Sequence, residues 1–348
     1  MAENIKQTID FYNGHILRWQ NLQDQEKAKY KEISDFTIID DSKISWSRDL
    51  RQDLERERCI EFAIDKIRES LYRPFTKSKL FFDRILNEEV YGFERLFPTI
   101  ATENENQVIC VVNEAQIPFS AQIAACIPCL HYGGRQTQCF PFYAYDKEGN
   151  NRQENITDWA LEKFQTHYQD PKITKWDIFH YNYALLHHPH YRDRYTANLK
   201  RELPRIPFAP EFHPFAIAGK RLTEIHINYE QQPEYRLKHI ENKDLPIDWR
   251  VEKMRLSKDK TQIKYNDFLT LTGIPPETFE YKLGNRSALD WIIDQYQVST
   301  DKRSGITNDP NRLDDEEYIV RLIKQVITVS LETVKIVKGL PDLGLPKD

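Results

Sequence analysis

The sequence predicts an α+β fold: mixed helices and short, interrupted strands in one large domain, with an N-terminal helical arm. Three observations lead there. Apolar residues recur at helical spacing near both ends and through the middle of the 348-residue chain. The strand-like runs between them are short and cut by Pro, Gly and Asn. Helices and strands do not alternate as regular strand–helix–strand units, so no doubly wound parallel sheet is expected. With 40% apolar residues and only 11 glycines, the chain can bury a sizeable core.

In chain order, Ile9, Tyr12, Ile16 and Trp19 fall on one helical face, and the charged run SRDLRQDLERERC follows from Ser47. Residues 1–60 are therefore expected to form the helical arm, and 61–348 the main domain. Pro74 breaks the aromatic stretch SLYRPFTKSKLFFDR (70–84) into strand or turn. Residues 107–112 and 138–146 read as strands, and 149–151 as the turn ending the second. Helices return over ITDWALEKFQTHY, with Ile156, Trp159, Phe164 and His167 near one side, and over WDIFHYNYALLHH, with Ile178, Tyr181, Leu185 and His188 on one face. Pro189 suits the first turn of a following helix carrying Tyr191, Tyr195 and Leu199, which Pro204 and Pro207 end. Another helix covers 215–229. Strands are expected over 249–257, 261–267 and 268–275. A helix over 285–297 has Asn285 as candidate N-cap and a stripe of Leu289, Ile292, Ile293 and Tyr296. The last helix starts in the acidic turn DDEEY and runs to about Lys338.

Composition removes several classes. The chain has 49 Lys+Arg against 54 Asp+Glu, a net charge of −5, so a grip on nucleic acid must come from a local basic face. No apolar run approaches the ~18–20 residues a membrane span needs. The first 25 residues read as an amphipathic helix and not as a secretory signal. Cys59, Cys110, Cys126, Cys129 and Cys139 form an odd, sparse set, which fits a reducing cytoplasm.

The chemical motifs are weighed next. His180, His187, His188 and His190 crowd one segment, but Pro189 splays His190 away, so helix-end histidines are expected and no metal site. CIPCLH (126–131) is a lone CxxC without a second ligand pair, and apolar packing is expected there. There is no GxxxxGK[ST] loop, no GxGxxG after a strand and no Gly-x-Ser-x-Gly elbow. The pair Gly133–Gly134 in HYGGRQTQCF reads as a tight turn. An Asn/Asp-Pro-Pro-aromatic tetrad and a convincing nuclease triad are both missing, so the isolated chain is not expected to be an enzyme or to bind a cofactor.

Basic and aromatic residues interleave instead. Arg73, Lys77 and Lys79 stand among Tyr72 and Phe75. Arg194, Lys200 and Arg201 lie on the outer side of the helix after Pro189. Loop residues Arg135, Gln136 and Gln138 are of the types that read guanine and adenine edges. Arg135, Gln136 and Gln138 are the candidates for base contacts. Arg73, Lys77, Lys79, Arg194, Lys200 and Arg201 are the candidates for phosphates.

Four stretches then occur in a fixed order: SLYRPFTKSKLFFDRILNE…FERLFPT, GGRQTQCFPFYAYD, DIFHYNYALLHHPHYRDRYTANLKRELPRIPF and NRSALDWIIDQYQVSTDKRSGITNDPN. Together they resemble the C-terminal specificity region of type ISP restriction–modification enzymes and of related adenine-specific DNA methyltransferases, over about residues 8 to 330. The resemblance implies a target-recognition part that reads double-stranded DNA in bacterial defence. It would hold the duplex for adenine methyltransferase and helicase/nuclease modules, joined in cis or supplied by a split partner. S-adenosylmethionine and ATP with Mg²⁺ are implied only for those modules, which this chain lacks. Residues 1–60 resemble the junction leading out of the methyltransferase. The alternatives are a protein-docking subunit or inactive remnant without DNA binding of its own, and a methyltransferase or nuclease in its own right.

Overall fold

The computed structural model describes residues 1–88, 90–134 and 136–345. The chain forms two compact units: Met1–Ser70, Ser78–Glu94 and Ser299–Asn308 in one, and Leu71–Lys77, Arg95–Val298 and Asp309–Asp348 in the other. The architecture is mixed α+β, as the sequence implies.

In the first unit, helix α1 (Ala2–Gln20) buries the expected stripe of Ile9, Tyr12, Ile16 and Trp19, with His15 between them. Helix α2 (Arg48–Glu55) starts where Ser47 Oγ accepts from the Leu50 amide at 3.1 Å, and it packs Leu50 and Leu54 into the same core as Trp46. The ribbon of Ser299–Thr300 and Thr307–Asn308 belongs to this unit. Its turn residue Arg303 pairs with Asp41 at 3.2 Å and donates to Ser45 Oγ at 2.8 Å.

Strands β1 (Ile67–Arg73) and β2 (Thr76–Phe81) are neighbours in one sheet and form a hairpin whose tip, Leu71–Lys77, counts with the second unit. Pro74 and Phe75 make the tip, Phe75 in the left-handed region at φ 56° and fully buried. A large residue with positive φ is costly, and burial of the whole ring in the second unit's core offsets that cost.

The second unit has two apolar cores. The first is built on the antiparallel sheet β4-β3-β5, formed by β3 (Val108–Val112), β4 (Ser120–Ala124) and β5 (Gln138–Pro141). Every residue of β3 and β4 is buried. Ile109, Val111, Ala121 and Ile123 share a core with helices α3 (Asp158–Tyr168), α4 (Lys175–Leu185), α5 (Pro189–Arg194), α6 (Thr196–Leu199) and α7 (Phe212–Ile227). Helix α4 is buried nearly all round, through Ile178, Phe179, Tyr181, Tyr183, Ala184 and Leu185. The second core joins the antiparallel sheet β7-β8-β9-β6 to helices α8 (Ala288–Gln295) and α9 (Tyr318–Lys338). That sheet comprises β6 (Lys238–Glu241), β7 (Arg255–Leu256), β8 (Gln262–Lys264) and β9 (Leu269–Thr272).

Several elements differ from expectation for identifiable reasons. The strand expected over 249–257 shrinks to Arg255–Leu256. Ahead of it the backbone is held by side chains: Asn266 Nδ2 donates to the carbonyls of Asp248 and Arg250, and Tyr265 Oη donates to that of Trp249. Helix α8 is capped by Ser287 and not by Asn285. The Ser287 hydroxyl accepts from the Asp290 amide at 3.1 Å, and Asp290 accepts from the Ser287 amide at 3.0 Å. The helix after Pro189 breaks at Tyr195, where ψ swings to 17°. Of the stripe proposed for α3 only Phe164 is buried in the helix, while Trp159 is 68% exposed. The segment 138–146 is two short strands, Gln138–Pro141 and Tyr143–Ala144, parted at Phe142. Among the described residues no helix is long and apolar enough to cross a membrane.

Candidate nucleic-acid interface

The glycine pair makes the tight turn that the sequence suggests. The Gly134 amide donates to the His131 carbonyl at 2.9 Å, and the Thr137 amide to that of Leu130 at 2.8 Å, which closes the loop on itself. A Cβ on Gly133 would meet Val112 Cγ2 at 2.7 Å, so the loop lies flush on the end of β3 only because position 133 is glycine. Gly134 takes a φ of 80°. Tyr132 anchors the loop from within: its ring is buried and its hydroxyl donates to Gln122 Oε1 on β4. Burial pushes that phenol well above its ordinary pKa, so it stays a donor.

Gln136 and Gln138 are exposed on this loop and at the start of β5. The Gln136 amide donates to Glu114 Oε1 at 3.2 Å, and Gln138 pairs in register with Val111. Both therefore hang on the end of β3. Arg135 lies outside the described residues.

The same strand end reaches the basic turn. Asn113 Nδ2 donates to the Glu202 carbonyl at 3.3 Å. Lys200 and Arg201, which directly precede Glu202 at the end of α6, are exposed. Their turn is fixed by the Asn198 carbonyl, which accepts from the amides of Arg201 and Glu202 at 2.9 and 2.8 Å.

Arg73 meets the start of the glycine loop. Its guanidinium donates to the Tyr72 carbonyl at 2.7 Å and to Cys129 Sγ at 3.4 Å, and lies 4.0 Å over the Tyr72 ring. Cys129 stands at the root of the loop, its amide bonded to the Leu71 carbonyl at 3.0 Å. In the second unit Gln136 and Gln138 are thus tied to the end of β3, Lys200 and Arg201 precede the Glu202 whose carbonyl Asn113 binds, and Arg73 touches Cys129 at the root of the loop.

The other phosphate candidates are placed differently. Lys77 forms an ion pair with Glu230 at 2.8 Å, and Glu230 also accepts from the Tyr318 hydroxyl at 2.8 Å. Burial works to raise the Glu230 pKa, but the Lys77 ammonium and that hydroxyl outweigh it and hold the carboxyl below its ordinary value. Arg194 is half-buried, and Lys79 is exposed on the part of β2 that belongs to the first unit. Arg192 turns inward, donating to the Leu186 carbonyl at 2.6 Å with its guanidinium 5.8 Å from the Phe119 ring.

The histidine-rich segment is tied to backbone carbonyls through two of its rings. His187 Nδ1 donates to the Tyr183 carbonyl at 2.8 Å, and His188 Nε2 to that of Pro341 at 3.1 Å. His180 stacks on Trp176 with its pKa lowered to about 4 by burial. Sequence reasoning passed over Asn113 and Glu114, which tie the loop and the basic turn to β3. Their signal was a polar pair directly after a fully apolar strand.

The chain is similar to known proteins over nearly its whole length. The sequence model of the Type ISP C-terminal specificity domain matches residues 1–323. A nuclease-deletion mutant of the Type ISP restriction-modification enzyme LlaGI, solved in complex with a DNA substrate mimic, superimposes with a TM-score of 0.84 at 33% identity. The ATP-dependent Type ISP enzyme LlaBIII bound to DNA gives 0.82 at 30%, and a DrdV–DNA complex 0.83 at 35%. Each similarity covers 99% of this chain but only 31%, 22% and 34% of the respective neighbour. No curated protein matches the sequence. With a family match across nearly its whole length, this chain belongs to the Type ISP C-terminal specificity domain family.

Proposed function

We propose that the chain is the sequence-reading part of a type ISP-like restriction–modification system. It holds double-stranded DNA in register for an N6-adenine methyltransferase and for helicase/nuclease modules. The observation that carries this reading is that exposed Gln136 and Gln138 are held at the end of β3, while Asn113, directly after that strand, binds the turn that presents Lys200 and Arg201. Amide side chains on a rigid loop supply hydrogen bonds to base edges, and the flanking cations neutralise phosphates and set the register. The DNA complexes of the structural neighbours support the same role.

Chemistry on the base belongs to the partner modules, which act in the cytoplasm with S-adenosylmethionine for methyl transfer and ATP with Mg²⁺ for translocation. This chain contributes the differential affinity that decides where they act. Residues 1–60, all in the first unit, are the proposed contact with the methyltransferase module. The direct test is selection of the retained duplexes from a random pool by the purified chain, with sequencing. Enrichment of a short motif supports the reading, and retention without enrichment counts against it.

A further inference from the structure

Cys110 on β3 and Cys139 on β5 are free cysteines that stand opposite each other in the sheet. Hydrogen-bonded and non-hydrogen-bonded pairs alternate along an antiparallel ladder. The Phe142 amide donates to the Gln107 carbonyl at 2.8 Å, which makes that pair hydrogen-bonded. Counting on through Val108–Pro141 and Ile109–Phe140, the pair Cys110–Cys139 is non-hydrogen-bonded, the kind in which opposite side chains come closest. Their sulfurs lie 3.8 Å apart. A disulfide takes Cα atoms roughly 4.4–6.8 Å apart, and a non-hydrogen-bonded pair supplies ~4.5 Å. β5 is the outer strand of β4-β3-β5, so it can close on β3 while β3 stays paired to β4.

The two thiols are not alike. Cys139 is half-buried and open to a small oxidant, whereas Cys110 is buried. The hydrogen bond with Cys139 and burial push the Cys110 thiol well above its ordinary pKa, so it stays protonated. An accessible thiol backed by a shielded second one is the arrangement that lets a first oxidation be resolved as a disulfide. The pair also sits against the candidate readout. Val108, Cys110 and Val112 share one face of β3. Gly133 closes on Val112, and Gln122, opposite Cys110 on β4, accepts from the Tyr132 hydroxyl. The thiols therefore lie on the sheet face that the glycine loop covers, and Cys139 directly follows Gln138.

We propose that Cys110 and Cys139 are an oxidation site for peroxides, closing to a reversible disulfide that shifts β5 and weakens base reading by Gln138. The Cys139 sulfur attacks the peroxide O–O bond, becoming a sulfenic acid as the other oxygen leaves as water or alcohol. The Cys110 sulfur then displaces the sulfenic hydroxyl, which departs as water with the Cys110 proton. The two thiols lose two electrons and two protons, and the peroxide takes up both. A dithiol reverses the bond by exchange. The effect on base reading rests on the DNA-reading function proposed above; the bond itself does not.

The test has two arms. In the first, the full-length chain is treated with hydrogen peroxide, remaining thiols are blocked with N-ethylmaleimide in urea, and a digest is mapped by mass spectrometry without reductant. The peptides holding Cys110 and Cys139 are expected as one linked species that dithiothreitol separates. Cys110→Ser and Cys139→Ser should each abolish it, with thermal melting to establish that both variants fold. Cys139 recovered as sulfinic acid beside an unlinked Cys110, or links confined to Cys59, Cys126 or Cys129, overturns the oxidation site. In the second arm, the motif enriched by the reduced chain is compared with a duplex altered at one base pair. Oxidation should lower that affinity ratio about tenfold at the position read by Gln138, the worth of one good base contact. Dithiothreitol should restore it, and peroxide should leave it unchanged in Cys139→Ser. A ratio that survives in chain mapped as linked overturns the coupling alone. A reduced chain that enriches no motif overturns the DNA-reading function and the coupling with it, while the first arm still decides the disulfide.

Discussion

A Cβ placed on Gly219 of α7 would sit 1.8 Å from the carbonyl oxygen of His180 on α4. The two helices that carry the first core of the second unit therefore touch backbone to backbone at this point, and no other residue fits there. Since α4 shares that core with Ile109 and Val111 of β3, the contact fixes the scaffold beneath the interface. Gly219→Ala must push the helices apart and is expected to cost about 3 kcal/mol or more, near the upper end for overpacked cores. Urea unfolding of the variant against the parent measures it, and an unchanged midpoint would show that the helices separate freely.

A second expectation concerns acid. His226 is fully buried, with its pKa lowered to about 3 by desolvation. Thr333 Oγ1 donates to the Val329 carbonyl at 2.7 Å, so it accepts from His226 Nε2 at 2.8 Å. That leaves Nδ1 to accept from the Tyr183 hydroxyl at 2.6 Å. The ring is thus neutral with both nitrogens satisfied. Below the unfolded-state value of ~6.5 the unfolded chain takes a proton that the folded chain refuses, so stability falls as pH falls from ~6.5 toward ~3. By pH 5 the loss from this residue should be about 2 kcal/mol, at 1.36 kcal/mol per pH unit. Melting between pH 7.5 and 5 should show it, with a shallower slope in His226→Gln; equal slopes would mean that other groups govern the acid loss.

Lys200 and Arg201 stand exposed on a turn held by the Asn198 carbonyl. Replacing both with Ala should weaken binding to every duplex alike, and the slope of log affinity against log salt should become less steep by about two, roughly 0.9 per phosphate contact. A fluorescence titration at several salt concentrations reads this. An unchanged slope would remove these two residues from the phosphate contacts.

Gln138 should behave in the opposite way. Gln138→Ala is expected to keep the salt slope and to lose about 1–3 kcal/mol of discrimination at one position of the recognised sequence. Repeating the selection with the variant shows whether a single position becomes degenerate; a uniform fall in affinity would reassign Gln138 to the backbone.

Much of this scaffold was legible in the sequence because burial imposes a period. The stripe Ile9, Tyr12, Ile16 and Trp19 and the run Ile178, Tyr181 and Leu185 are helix faces that meet a core, whereas His188, expected on the second face, falls beyond the end of α4 with extended backbone ahead of α5. Gly133–Gly134 announced its turn through composition alone. What escaped was set by distant partners. The backbone at 248–250 is satisfied by the side chains of Tyr265 and Asn266, so a strand-like pattern there forms no ladder. Helix α8 starts at Ser287 because Asp290 completes the reciprocal cap, which a lone Asn285 cannot do. Nothing in the sequence signals that Ser299–Asn308 packs with the N-terminal unit, since Arg303 finds Asp41 and Ser45 across more than 250 positions. For the candidate interface the sequence offered residue types, but it did not signal the ties of Glu202 to Asn113 and of Gln136 to Glu114, the inward turn of Arg192 or the pairing of Lys77 with Glu230.

The most direct measurement is the selection itself: the purified chain, a pool of random duplexes, and sequencing of what is retained at two salt concentrations. The account predicts one enriched short motif at both concentrations, with total retention falling steeply as salt rises. Retention of duplexes without any enrichment, or no retention at either concentration, would contradict it.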